Sequence, residues 1–392
     1  MQVGARKAWD GQRHIGADRF DAGQLDAIAL AEHKPDALAD VADADALEDL
    51  PVLRGGQCGQ LAVQAAQQGG RDPAAVVADL DDQAAGSVMS PVFLTAKNIM
   101  SVGRQVSVTG ILAFAETILI IGGNVDLSLG SQVALSGMIS INTYLATGSA
   151  AAAFASAVAV CVGCSLFNAF AITKLQMPGF VATMSMDFIA RGAVYVYCKG
   201  TPIYQVGDYG KISSTYLFGV VPLPVVFLMG VAVLAAVVLR QTCLGRNIYA
   251  VGGNAEAAFA SGISVSRTKF QAFAISGLFT GVAAVIQMAR LNTGMPDTAN
   301  GYHGDAIAAA VIGGASFTGG TGTAAGTLVG AFVVGFISNI LNLKGVSIYV
   351  QQIIKGILII IAVSVDIAGK NRKIRQVARG KKGPAQAQQG PA

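Results

Sequence analysis

The chain has 392 residues, 53% of them hydrophobic and only 13% charged, with a mean hydropathy of +0.55. A soluble domain carries roughly 25% charge, so this composition excludes an ordinary soluble enzyme or binding module and points to a polytopic membrane protein. The net charge of +4 hides two unlike parts: Met1–Val88 holds 15 acidic and 7 basic residues, and the remainder holds 8 acidic and 20 basic.

Residues 1–88 form an acidic leader rich in Ala, Asp and Gln. It has no apolar run of the ~20 residues needed to span a bilayer, and it reads as disordered or as a stretch that is not native. Residues 89–369 read as an all-α transmembrane domain, and 370–392 as a basic tail. Hydropathy places spans near 106–121, 127–148, 150–171, 178–197, 221–239, 270–290, 305–318, 323–343 and 348–366. The expected fold is therefore about nine to ten transmembrane helices with broken or re-entrant segments. The 305–318 stretch is short and reads as one such broken segment. Five cysteines show no disulfide spacing. Cys161-Val-Gly-Cys164 resembles a redox motif, but it lies inside an apolar helical run, where cysteine behaves as a small hydrophobe.

Orientation follows from Lys and Arg in short loops. Arg240, Arg246, Arg267 and Lys269 flank one island, and seven basic residues lie between Lys370 and Lys382. Both regions should be cytoplasmic, which puts the 198–220 loop outside. Counting crossings backwards places Ser90–Arg104 outside as well, yet the leader carries no apolar signal to take it there. Either the leader is not the native start and a first helix is missing, or the parity count is off by one.

Two glycine-rich segments interrupt the spans. The first begins Ile121-Gly122-Gly123-Asn124-Val125-Asp126-Leu127-Ser128-Leu129-Gly130. The second begins Ile312-Gly313-Gly314-Ala315-Ser316-Phe317. Paired, glycine-interrupted segments in corresponding halves indicate an internal repeat with a pathway at its interface. Broken helices expose backbone polar groups that only protein or a wet cavity can satisfy; close packing through small residues is the competing role. The candidate pathway residues are Gly122, Gly123, Asn124, Asp126, Ser128, Gly130, Gly313, Gly314 and Ser316. Asp126 can equally cap the helix that follows it. Glu116 lies in an apolar run and should face the protein interior. His303, beside Asp305, reads as a solvated loop residue. The Gly319–Thr323 stretch lacks the Gly-Lys-Ser/Thr ending of a phosphate loop, so ATP hydrolysis is not expected of this chain. No metal or cofactor site is expected either.

The cytoplasmic island reads as a seven-residue helix with written ends. Asn254 caps it, Glu256 suits the positive end of its dipole, and Gly262 supplies a left-handed stop. So short a helix is marginal alone, and Ala257 and Ala258 leave it a small docking face.

Four ordered motifs carry a resemblance: Gly122–Ser131, Tyr249–Ala258, Asp305–Gly314 and Gly345–Gly356. Together they resemble the permease subunits of bacterial monosaccharide ABC importers, of the ribose/xylose/arabinose/galactose type, over about 90–370. The resemblance implies a multi-pass protein of the bacterial inner membrane that is not itself an enzyme. It implies a homodimer with a second permease copy, lipids around it, and no nucleic-acid partner. It further implies a cytoplasmic ATP-binding subunit with two fused cassettes and a periplasmic sugar-binding protein. Residues 249–262 match the family's coupling helix, so Gly252, Gly253, Asn254, Glu256, Ala257, Ala258 and Gly262 are the expected contacts to the ATPase. Family permeases carry an apolar residue where Glu116 stands, and a first helix before the Ser90-Pro-x-Phe stretch. The alternatives are an ion-coupled secondary transporter, which the spans equip poorly with ionisable groups, and an inactive remnant lacking its first helix.

Overall fold

A computed structural model describes residues 96–380 apart from Gln205, Phe218 and Val220. The leader at 1–88, with Cys58 in it, and the last twelve residues lie outside the described part. Ten longer helices and two short ones run in chain order through the described residues. They are α1 (Ala96–Ile121), α2 (Leu129–Thr147), α3 (Ala150–Thr173) and α4 (Gly179–Cys198), followed by a 3-10 turn (Gly207–Gly210) and a single turn α5 (Lys211–Ser214). After these come α6 (Leu223–Gln241), α7 (Cys243–Gly253), the stub α8 (Ala255–Ala260), α9 (Val265–Leu291), α10 (Tyr302–Ile312), α11 (Ala324–Leu343) and α12 (Ile348–Gly380).

Five of these, α1, α3, α6, α9 and α11, are long and apolar enough to cross a membrane, and Ile348–Ser364 adds a shorter apolar stretch within α12. The all-α expectation needs one small correction. Two-residue strands at Tyr216–Leu217 and Val221–Pro222 pair antiparallel in the loop before α6.

Local chemistry explains the ends. Ser149, Thr242, Asn254 and Thr323 each occupy an N-cap, and the side chain accepts from a backbone N–H three residues on. Each such cap satisfies one of the donors that a helix start leaves unpaired. Pro222 and Pro224 begin α6, where a missing N–H costs nothing. Gly148 ends α2 in the left-handed conformation.

The core is centred on α1 and α9, most of whose residues are buried, while most residues of α3 and α6 are half-buried or exposed. α1 packs against α6, α9, α10 and α11, and α9 packs against α3. The α3–α9 contact depends on small residues one helical turn apart. A Cβ on Gly277 would lie 2.8 Å from the Cα of Val162, and one on Gly281 would lie 2.6 Å from the Cα of Val158. Neither approach tolerates a side chain, because the obstacle is backbone. In lipid there is little hydrophobic drive between helices, so this close packing supplies much of the attraction.

Candidate functional site

The two glycine-rich turns meet. α1 stops at Ile121, and Gly123 turns the chain with φ +74°. α10 has only eleven residues, about 16 Å of rise and half a hydrocarbon core. It stops at Ile312, and Gly314 turns the chain with φ +87°. The backbone N–H of Gly320 then donates to the Ile121 carbonyl at 2.9 Å. Gly252 of α7 packs into the same junction. A Cβ there would collide with the Ile121 carbonyl and lie 2.9 Å from Gly320 N. The Tyr249 hydroxyl donates to the Gly322 carbonyl at 2.7 Å, and partial burial of this tyrosine raises its pKa. The ends of α1 and α10 and the helix leading to the stub therefore share one corner of the bundle.

From that corner the first turn runs back inward around a buried carboxylate. Asp126 is fully buried. Its Oδ1 accepts from Ser128 N at 2.9 Å and from the Ser128 hydroxyl. Its Oδ2 accepts from Gln132 Nε2 at 3.3 Å and Asn168 Nδ2 at 3.4 Å. The backbone N–H of Asp126 donates to Glu116 Oε1 at 3.1 Å, and Glu116 is also fully buried. Such a carboxylate is affordable at this depth only because donors surround it.

A second irregular segment, between α9 and α10, lies against the start of α2. Arg191 on α4 donates through Nη1 to the carbonyls of Pro296 at 2.8 Å and Thr298 at 3.1 Å. Gly130 admits the Ala299 carbonyl so closely that no side chain would fit. Gln287 donates to the Tyr302 hydroxyl at 3.2 Å. Around this segment Gln287 Oε1, Thr298 Oγ1 and His303 Nδ1 are buried atoms with no hydrogen-bond partner among the described residues.

At the end of the bundle away from the glycine junction, a cavity of about 380 Å³ is lined by Arg104, Lys211 and Arg290 with Ser213, Ser214 and Asn292. Lys211 pairs with Asp208 at 2.8 Å, and this hydrogen bond raises the lysine pKa. Nearby, burial raises the Tyr209 hydroxyl well above the usual range.

Comparison with known proteins now decides the family. A family model described as "Branched-chain amino acid transport system / permease component" matches residues 98–363. The ribose import permease of Escherichia coli is 39% identical over 289 residues, covering 71% of this chain and 88% of the relative. The chain belongs to this permease family. The D-allose transport system permease of Escherichia coli is 35% identical over 283 residues, covering 72% of this chain and 86% of the relative. The L-arabinose ABC transporter permease of Azospirillum brasilense is 31% identical over 294 residues, covering 73% and 85%. No solved structure matches the chain. As a member of this family the protein is a multi-pass inner-membrane transport component rather than an enzyme, and ATP hydrolysis lies in a separate subunit.

The candidate residues of the permease fall as follows. Gly122, Gly123 and Asn124 form the first turn, where Asn124 Nδ2 donates to the Gly122 carbonyl at 3.0 Å. Asp126 and Ser128 form the buried cluster, and Gly130 faces Ala299. Gly313 packs on the backbone of Gly326, and Ser316 donates to Asp366 Oδ2 at 2.9 Å.

On the island, Asn254 accepts from Ala257 N at 2.9 Å and Gly262 ends the stub with φ +83°. Gly253, Glu256 and Ala257 are exposed. Three expectations are corrected. The island holds two helices, because Thr242 caps an additional one, α7, ahead of the stub, and Gly252 is part of its packing. Ala258 is only 4% exposed and faces the bundle, since the stub must rest one side on its own protein. His303 belongs to α10 rather than to a solvated loop, beside the buried Asp305.

Sequence reasoning missed Phe259, which is 73% exposed on the stub. A lone aromatic in a run of alanines was its signal. It also missed Arg191, whose role depends on a segment a hundred residues away.

Proposed function

We propose that this permease moves a monosaccharide inward across the membrane, driven by ATP hydrolysis in a partner and supplied by a periplasmic binding protein. The substrate class rests on the relatives, whose names specify ribose import and D-allose and L-arabinose transport at 31–39% identity. The family description names branched-chain amino acids, which is the competing substrate class. Apolar amino-acid side chains would suit an apolar route. The atoms left without partners here, on Gln287, Thr298 and His303, suit a hydroxyl-rich solute instead.

The observation that carries the mechanism is the shared corner. The exposed stub α8 continues from α7, and α7 touches both glycine turns at Gly252. A push on the stub therefore reaches the two places where spans are broken. Glu256, Ala257 and Phe259 form the face offered to the ATPase, with Gly253 and Asn254 beside them. The turns at Gly122–Gly130 and Gly313–Ser316 line the pathway, and the second of them is its moving part. Charge in the short loops puts this corner in the cytoplasm and the arginine-lined cavity on the outer side. The full complement is nine to ten spans in each of two permease copies, with a cassette pair fused in one ATPase chain. Alternating access then needs only two packings of these turns, biased by the partners.

The test is uptake in proteoliposomes holding the permease, its ATPase and its delivering protein. ATP-dependent accumulation of a pentose or hexose, and none of leucine or valine, is expected. Glu256→Lys should reduce uptake at least tenfold with membrane insertion unchanged. Accumulation of leucine in place of sugar would overturn the substrate assignment. Undiminished uptake by the Glu256→Lys protein would overturn the docking face.

A further inference from the structure

The last helix is held to the broken segment by two polar ties. Near its start, Lys355 Nζ lies 2.8 Å from Asp305 Oδ2 on α10, and neither side chain is more than 28% exposed. Further along, Asp366 Oδ2 accepts from Ser316 Oγ at 2.9 Å and from the backbone N–H of Phe317 at 3.2 Å. Lys355 and Asp366 are eleven residues apart on α12, close to three turns, so both project from one face about 16 Å apart. That face meets α10 at one level and the glycine turn at the other.

These ties matter more than surface pairs would. α12 packs chiefly against α10, and Ile353, Ile357, Ile360 and Ile361 leave the helix exposed. A helix with so little apolar packing inside its own chain depends on its polar contacts for register. A cavity of about 10 Å³, lined by Asp305, Lys355, Ser338, Val334 and Leu358 among others, lies beside the ion pair. It is room for about one water, so the pair is not locked by packing around it. The turn tied to Asp366 is the one that touches Ile121 and Gly252.

We propose that Lys355 and Asp366 are positioning residues for transport: they bind α12 to α10 and the 313–323 turn so that the three move as one piece. Without them, motion entering through α7 displaces the turn alone and the pathway does not open in step. The inference rests on the reading that the stub receives the motor's work.

The experiment measures sugar imported and ATP hydrolysed in the same proteoliposomes, with the complete importer. In Lys355→Gln and Asp366→Asn the ATP consumed per sugar should rise at least fivefold. The exchange Asp305→Lys with Lys355→Asp should bring it back to within twofold of the unaltered protein. A merely structural loss would lower both quantities together and leave their ratio unchanged. An unchanged ratio in the single variants, or an exchange no better than either single variant, would overturn the proposal. Should Lys355→Gln fail to insert, Asp305→Asn, which keeps size and shape, carries the same expectation. Absence of sugar uptake by the unaltered importer would instead refute the functional reading.

Discussion

The two glycine turns begin with the same Ile-Gly-Gly and close in opposite ways. The first folds round its own carboxylate. Asp126 collects hydrogen bonds from Ser128, Gln132 and Asn168, and Glu116 takes its backbone N–H. The second has no such centre. It is closed by backbone against backbone, Gly313 on Gly326 and Ala309 on Gly330, and by ties to α12 from outside. A turn locked by a buried polar cluster resists rearrangement, because every donor would need a new partner. A turn held by close packing and a few outside ties can shift as a unit. Under the proposed function, the first turn then belongs to the fixed frame and the second to the moving part.

The largest effect is expected at Gly326. A leucine there would drive its Cβ into the Gly313 carbonyl, and the chain should no longer be recovered as a monodisperse protein in detergent. Recovery at normal yield would mean that α10 and α11 are not packed as described. Asp126→Ala should come next. Several donors lose their acceptor, and thermal unfolding should show a loss of roughly 2–4 kcal/mol. A smaller loss than that from Glu116→Gln would remove the carboxylate from the centre of the first turn.

Tyr249→Phe deletes one hydrogen bond, from α7 to Gly322. It should cost about 1 kcal/mol and reduce coupled uptake more than it reduces stability. The smallest effect belongs to Lys211→Gln, far from both turns. Its partner Asp208 raises the lysine pKa, so the pair is fully formed below the ordinary lysine pKa and is lost only as pH rises through the raised value. Exposed pairs contribute little. No change in melting temperature between pH 6 and 9 is expected, in either protein.

Much of the frame was legible in the residues. The expected spans at 150–171, 178–197 and 323–343 differ from α3, α4 and α11 by at most two residues at either end. Asn254 and Gly262 stand at the ends of the stub because capping is decided within four residues of chain. The site was only partly legible. Ala258 looked as available as Ala257, since a hydropathy pattern cannot say which side of a two-turn helix rests on the bundle. His303 looked like a loop residue because the expected 305–318 segment starts two residues after it, whereas the helix already begins at Tyr302. Thr242 as the cap of a further helix was present in the sequence but overshadowed by the glycines after it.

What the sequence determined by itself, then, is the set of elements and their punctuation, because apolar run length, caps and left-handed glycines act over a few residues. The tertiary structure alone decided which of these breaks meet. Ile121 joins Gly320, Arg191 holds the 296–298 backbone, and Asp305 finds Lys355 across separations of 50 to 199 residues. No local preference encodes such pairings. They follow from how helices with small residues on their faces pack, and from the need to satisfy every polar group that packing carries away from water.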